Sequence, residues 1–277
     1  LVLAWAVFWG WAMFVSAELR LNLVLSQSIV LVLVYSAEIL YFSTARIPNI
    51  YEEIAKEFGI VWDTRSLDTV IRDLATRGVQ AYPSMAGHHT LGGESIFLFS
   101  GISLAPTVLC NESGKWEVVT TDRYGFNNPD SIWDEEEIEY VLVGDSFTHG
   151  LCVQQGENVA GQLMRLTGKP ALNLGHKGLG PIAEYAVIKE YGIHIKPKKI
   201  LWLYYEGNDL INNLGGEKDY PELTRYLNPS YSQNLVARQD EIDAALMSFW
   251  TNASKGNEPK FGLDMLYEHL RLGSMRR

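Results

Sequence analysis

The sequence is poor in the residues that build metal centres. Its 277 residues include two cysteines, Cys110 and Cys152, with no Cys-x-x-Cys and no His/Cys cluster at zinc spacing. No metal and no other cofactor is therefore expected. Long basic clusters are missing as well. Lys and Arg number 23 against 33 Asp and Glu, for a net charge of −10, which argues against nucleic acid as a partner. Internal repeats and low-complexity tracts are absent. The glycine-rich "GHKGLG" (175–180) lacks the Gly-x-x-x-x-Gly-Lys-Ser/Thr spacing of a phosphate loop, and its glycines suit a tight turn after a strand.

Apolar residues, 47 % of the chain, are unevenly spread. "LVLAWAVFWGWAMFV" (1–15) and "LNLVLSQSIVLVLVYSAEILYF" (21–42) are separated only by "SAELR". The second matches the roughly 20 apolar residues that cross a bilayer as a helix, with its one acid, Glu38, near the end. The first reads as the remainder of another spanning helix, with Trp5, Trp9 and Trp11 as interfacial anchors. A signal peptide has one such stretch, not two. Because residue 1 is Leu inside an apolar run, the expectation is a fragment whose first span is incomplete. Arg20 in the short loop favours the cytoplasm, Arg46 argues weakly the other way, and the rest of the chain is expected outside the cytoplasm.

Three regions follow from these patterns: membrane helices over 1–43, a connector over 44–135 and an α/β domain over 136–277, with an insertion at about 215–260. In the connector, apolar residues at 67, 70, 71 and 74 predict a helix within 63–78. "YPSMAGHHTLGGES" reads as a turn-rich loop, and "APTVLCNESGKWEVVTTD" as a hairpin. From 138 the pattern alternates: strand "IEYVLVG", helix 157–167, strand "ALNLG", helix 181–192, strand "KKILWLYY". Near-continuous apolar strands between helices mean a parallel sheet covered on both faces.

Ligands of such sheets bind at the carboxyl ends of the strands. Three polar-glycine turns fall there: Gly144-Asp145-Ser146, Asn173-Leu174-Gly175 and Gly207-Asn208-Asp209. Ester chemistry needs a hydroxyl nucleophile and donors aimed at the developing oxyanion. Ser146 offers the first; the amides of Ser146 and Gly175 and the side chain of Asn208 offer the second. Asp145 suits a turn-fixing role, with substrate contact as the alternative. His176 lies near these donors, either touching substrate or as a surface turn residue. His149 reads as a pocket-wall or surface residue, and His88, His89, His194 and His269 have no site partners. Cys110 ends a hairpin strand and Cys152 follows the Ser146 turn, so a disulfide between them would tie the hairpin to the site's edge; two buried free thiols are the alternative.

These three blocks resemble the SGNH (GDSL-type) hydrolase superfamily over roughly 138–210. "GDSF" is not the Gly-x-Ser-x-Gly elbow of α/β-hydrolases. More loosely, "DTRS", "TVLCNESG", "DRYGFNNPD" and "RYLNPSYSQNLVARQDEID" resemble membrane-anchored bacterial members. The resemblance implies a flavodoxin-like three-layer fold, a serine esterase with nucleophile Ser146 and oxyanion donors Gly175 and Asn208, and an acyl-ester substrate on a glycan, a lipid or a small molecule. It leaves open O-acyl transfer to an envelope glycan, and a non-catalytic glycan-binding module. A flavodoxin-like nucleotide binder is disfavoured, because "GDSFTHG" offers too few glycines and hydroxyls. The family's late Asp-x-x-His, source of the general base, does not follow Asn208. Asp264 and His269 are five apart, on nearly opposite helix faces, so the expectation is a chain that stops before that block.

Overall fold

The computed structural model describes residues 14–44, 50–210 and 214–256. The chain divides into two compact units, one containing the N-terminal helix and the other spanning Ile50–Glu258. The architecture is mixed α/β with small sheets.

Helix α1 runs over Ala17–Thr44, a stretch free of Pro and Gly and rich in Leu, Val and Ile. Ser16 starts it, its hydroxyl accepting from the Leu19 amide at 3.3 Å. "SAELR", expected as a loop, is thus the first turn of the helix. Residues Ala17–Ala37 are long and apolar enough to cross a membrane, and none of that stretch is buried. The remaining apolar run lies almost wholly outside the described residues.

In the second unit, α2 (Ile50–Glu57) precedes α3 (Leu67–Thr76). Ser66 caps α3 by accepting from the Thr69 amide at 3.3 Å, and Val70 and Ile71 form the buried stripe that the spacing predicts. Five short strands follow: β1 (Tyr82–Pro83), β2 (Gly87–Leu91), β3 (Glu94–Leu98), β4 (Pro106–Val108) and β5 (Val118–Thr120). The expected hairpin is β4–β5, in register Pro106↔Thr120, with β1 parallel on its other side. The expected turn-rich loop is instead a second hairpin, β2–β3, closing at Gly92-Gly93 with φ of +56° and +87°. Two consecutive positive φ angles suit a tight hairpin turn, and glycine reaches them without strain.

The main sheet has parallel order β7-β6-β8: β6 (Tyr140–Gly144), β7 (Ala171–Asn173) and β8 (Lys199–Leu203). Helices α4 (Ser146–His149) and α5 (Val159–Thr167) connect β6 to β7, and α6 (Pro181–Val187), extended by a π-helical turn at Ile188–Gly192, leads to β8. Alternation along β6 sends Val141 and Val143 into one apolar cluster with Ala183, Ala186 and Val187 of α6. Leu142 enters another with Ala160, flanked by Leu163 of α5. Helices therefore pack against both faces of the central strand.

The accessory segments share this core. Phe97, Phe99 and Phe126 join the cluster that holds Val141 and Leu172, so the region expected as a connector packs with the α/β elements. The expected insertion also docks: it carries α7 (Leu214–Glu217), α8 (Pro221–Thr224) and α9 (Gln239–Gly256), and Leu223, Tyr226, Leu235 and Leu246 are fully buried. The Glu217 carboxylate accepts from the amides of Gly180, Ile182 and Ala183 at 2.8–3.1 Å, capping α6 where its own donors are orphaned. Glu190, in the π-helical turn, accepts from the Tyr226 hydroxyl and the amides of Gln233 and Leu235 at 2.5–2.9 Å.

Candidate active site

Chain connections leave β6 in one direction towards β7 and return past it to β8. The carboxyl ends of β6 and β8 therefore form a switch point, the usual ligand crevice of open α/β sheets. Asp145 and Ser146 follow β6 there, and Gly207, Asn208 and Asp209 follow β8. Ser146 is the first residue of α4 and is half-buried, whereas Asp145 before it is buried. The Asp145 carboxylate caps α4, one oxygen accepting from the Phe147 amide at 3.1 Å and the other from Asn208 Nδ2 at 3.2 Å. That second bond joins two of the sequence-predicted turns. Both oxygens of Asp145 are thus engaged in the turn, the first of the two roles the sequence suggests. An amide nitrogen carries two hydrogens, so Asn208 keeps one beyond the bond to Asp145. Asp209 holds its own turn, accepting from the Tyr205 amide at 2.6 Å.

Two glycines let α4 sit on the strand ends. A Cβ on Gly144 would lie 2.2 Å from Thr148 Oγ1 and 2.7 Å from Leu203 O; one on Gly175 would lie 2.5 Å from Thr148 Cβ and 2.8 Å from the His149 amide. Gly175 is therefore a close-approach residue. Its amide, expected to face an oxyanion, donates to Asn173 Oδ1 at 2.9 Å. The His176 amide is likewise committed, to Gly144 O at 3.2 Å. Further along the turn, Gly178 is exposed with φ +79°, and its amide has no acceptor among the described residues.

Beneath the turn lies a buried network that sequence reasoning missed. Asn173 Nδ2 donates to Thr148 O at 2.7 Å, and Asn127 Nδ2 to His149 O at 2.9 Å, so both hold the carbonyl end of α4. Asn128 bonds the Asn173 amide and carbonyl and the Asp122 carboxylate, all at 2.8 Å. Asp122 also accepts from Trp133 Nε1 and from the amides of Tyr124 and Phe126; burial nevertheless pushes its carboxyl up to about 6. Polar residues in "DRYGFNNPD" were visible in the sequence, but nothing in one sequence says that they are buried. Glu184 was missed too. Burial raises its carboxyl to about 8, against the bond it accepts from Trp202 Nε1, with Asp209, Glu217 and Asp145 adding repulsion.

His149 and His176 are both buried and stack with ring centroids 4.6 Å apart. A carbonyl only accepts, so the contact of His176 Nδ1 with Lys177 O at 3.0 Å puts the proton there and makes Nε2 the acceptor from Ser84 Oγ at 2.9 Å. Burial lowers His176 to about 4 and holds His149 well below its ordinary 6.5. Neither is a good base near neutral pH. Below 6.5 the unfolded chain takes up a proton that folded His176 refuses until about 4, so its contribution is complete above 6.5 and lost as pH falls towards 4. Asp122, raised from 3.8, acts in the opposite sense over about 4 to 6, so a comparison between variants is needed. The stability gap between the wild type and His176→Gln in urea unfolding should shrink by about 2–3 kcal/mol from pH 7.5 to 4.5. A gap that stays constant would mean that His176 is not buried neutral.

Cys110 and Cys152 are joined in a disulfide with Cα atoms 5.3 Å apart, inside the usual range, so the hairpin and the segment after α4 are tied as expected. Glu112 lies beside it, with a carboxylate oxygen within 4.8 Å of both sulfurs. Because the sulfurs are bonded to each other, no thiolate remains there to ligate a metal. No family model, curated protein or solved structure matches the chain.

Proposed function

We propose that the protein is a membrane-anchored SGNH-type serine esterase that acts on an acyl ester through Ser146. The observation that carries this reading is the position of Ser146: half-exposed, first in a helix, and at the switch-point end of the middle strand of a parallel sheet. The resemblance of the three sequence blocks supports it, as does the bond between Asn208 and Asp145. In this reading the main sheet belongs to a flavodoxin-like three-layer fold.

Ser146 Oγ attacks the ester carbonyl, its proton passes to a base, and the alcohol leaves as the acyl-enzyme forms; water then releases the acid. The oxyanion meets the Ser146 amide at the start of α4 and the second side-chain amide hydrogen of Asn208. Neither His149 nor His176, both buried and weakly basic, is proposed as that base. In protein that carries its general base, Asn208→Ala should lower turnover of p-nitrophenyl acetate by about 10²–10³, the usual effect of losing one oxyanion donor. Turnover equal to wild type would remove Asn208 from the site.

Localisation follows the same reading. Helix α1 anchors the chain, and the Cys110–Cys152 disulfide supports an oxidising, extracytoplasmic compartment for the Ile50–Glu258 unit. A reporter fused after residue 45 should be active only outside the cytoplasm; cytoplasmic activity would reverse the orientation.

A further inference from the structure

A cavity of about 420 Å³ opens beside Ser146, between α4, the segment leading to α5, Tyr51 of α2 and Glu112. Its size falls within the range of small-molecule sites. The wall is largely apolar: Phe147, Leu151, Val153 and Val159 line it with the Cys152 end of the disulfide. Phe147 is 63 % exposed, Val159 42 % and Val153 38 %, more apolar surface than a plain turn needs to show.

The polar residues of this wall are mostly engaged elsewhere. Asn158 Oδ1 caps α5 through the Gly161 amide at 2.9 Å, and its Nδ2 reaches Asn127 O at 3.2 Å. Glu157 bonds Gln162 and Arg165, each at 2.8 Å. Apart from Tyr51, whose ring stacks with Trp62 at 6.5 Å between centroids, that leaves Ser146 and Glu112 to meet a ligand. A sugar ring needs several free donors and acceptors, and this wall does not provide them. An alkyl chain needs none. Among the described residues no Lys or Arg lines the cavity, and the exposed Glu112 carboxylate in its wall repels a negatively charged chain end.

We infer that this cavity is the acyl subsite of the esterase, and that it takes an uncharged alkyl chain several carbons long rather than a sugar or a charged acyl group. The inference rests on Ser146 being the nucleophile. The chain lies along Phe147, Val153 and Val159 while its carbonyl sits at Ser146 Oγ.

Two probes test this in detergent, on protein that carries its general base. Serine-reactive fluorophosphonates with an octyl and with an ethyl chain should label Ser146 at rates that differ by at least about tenfold, the gain from roughly two fully buried methylenes. Val159→Trp or Val153→Trp fills the cavity from partly exposed positions and should bring that ratio near one. Comparing variants cancels partition of the probes into micelles. Photolabelling with azioctanol, a neutral alkyl diazirine, reads the cavity without any chemistry at Ser146. Its adducts should fall on residues 147–159 and disappear in the tryptophan variants. Equal labelling of wild-type Ser146 by both chain lengths overturns the acyl subsite and leaves the nucleophile standing. Wall adducts without any labelling of Ser146 overturn the esterase reading, and the acyl subsite with it. Adducts elsewhere overturn the cavity as a binding site.

Discussion

Replacing Ser146 with alanine should lower ester turnover by at least about 10³-fold in protein that carries its general base, and should abolish labelling by a serine-reactive phosphonate. The size of the effect comes from chemistry. Without Oγ no acyl-enzyme forms, and the oxyanion donors act only on direct attack by water. Asn208→Ala, which removes one donor and keeps the covalent route, should be the milder variant. Ser146 is half-exposed at the start of α4 and packs little, so its loss should leave the melting temperature within a degree or two. Unfolding therefore cannot be mistaken for lost chemistry. Hydrolysis that persists undiminished in Ser146→Ala would end the enzyme reading and favour a glycan-binding module on the same scaffold.

How much of this site is legible in the sequence depends on where each residue's partners lie. "YVLVG" followed by Asp-Ser announces a buried strand and an exposed turn, because the strand pattern and the turn chemistry are both local. The α3 stripe is local as well, and it is found. The β2–β3 hairpin escapes because "GHHTL" is polar and alternates weakly; only the Gly-Gly turn marks it. Gly175 shows a subtler limit. Its glycine identity is required by the approach of Thr148, and its amide is taken by Asn173 two residues earlier, a turn bond that an Asn-x-Gly sequence permits. A sequence identifies the turn but not which of its amides stays open. Asn128 meets Asn173 across 45 residues, so its part in holding α4 becomes visible only in the fold.

Breaking the Cys110–Cys152 bond should destabilise the Ile50–Glu258 unit by about 4 kcal/mol, because the bridge closes a loop over a separation of 42 residues and removes that freedom from the unfolded chain. For a unit of this size the melting temperature should fall by roughly 10 °C. Reductant should do to the wild type what Cys110→Ala with Cys152→Ala does without it, and it should leave the double variant unchanged. A second consequence is local. Cys152 lines the cavity beside Ser146, and the disulfide ties that wall to the hairpin strand that Cys110 follows. Freed of it, the segment after α4 moves more, and the octyl-to-ethyl labelling ratio should drop at temperatures well below the melting point. Loss of stability with no change in that ratio would make the bond a staple of the fold alone. A wild type that melts at the same temperature with and without reductant would show that the two thiols are not joined in solution, and would remove the redox argument for an extracytoplasmic location.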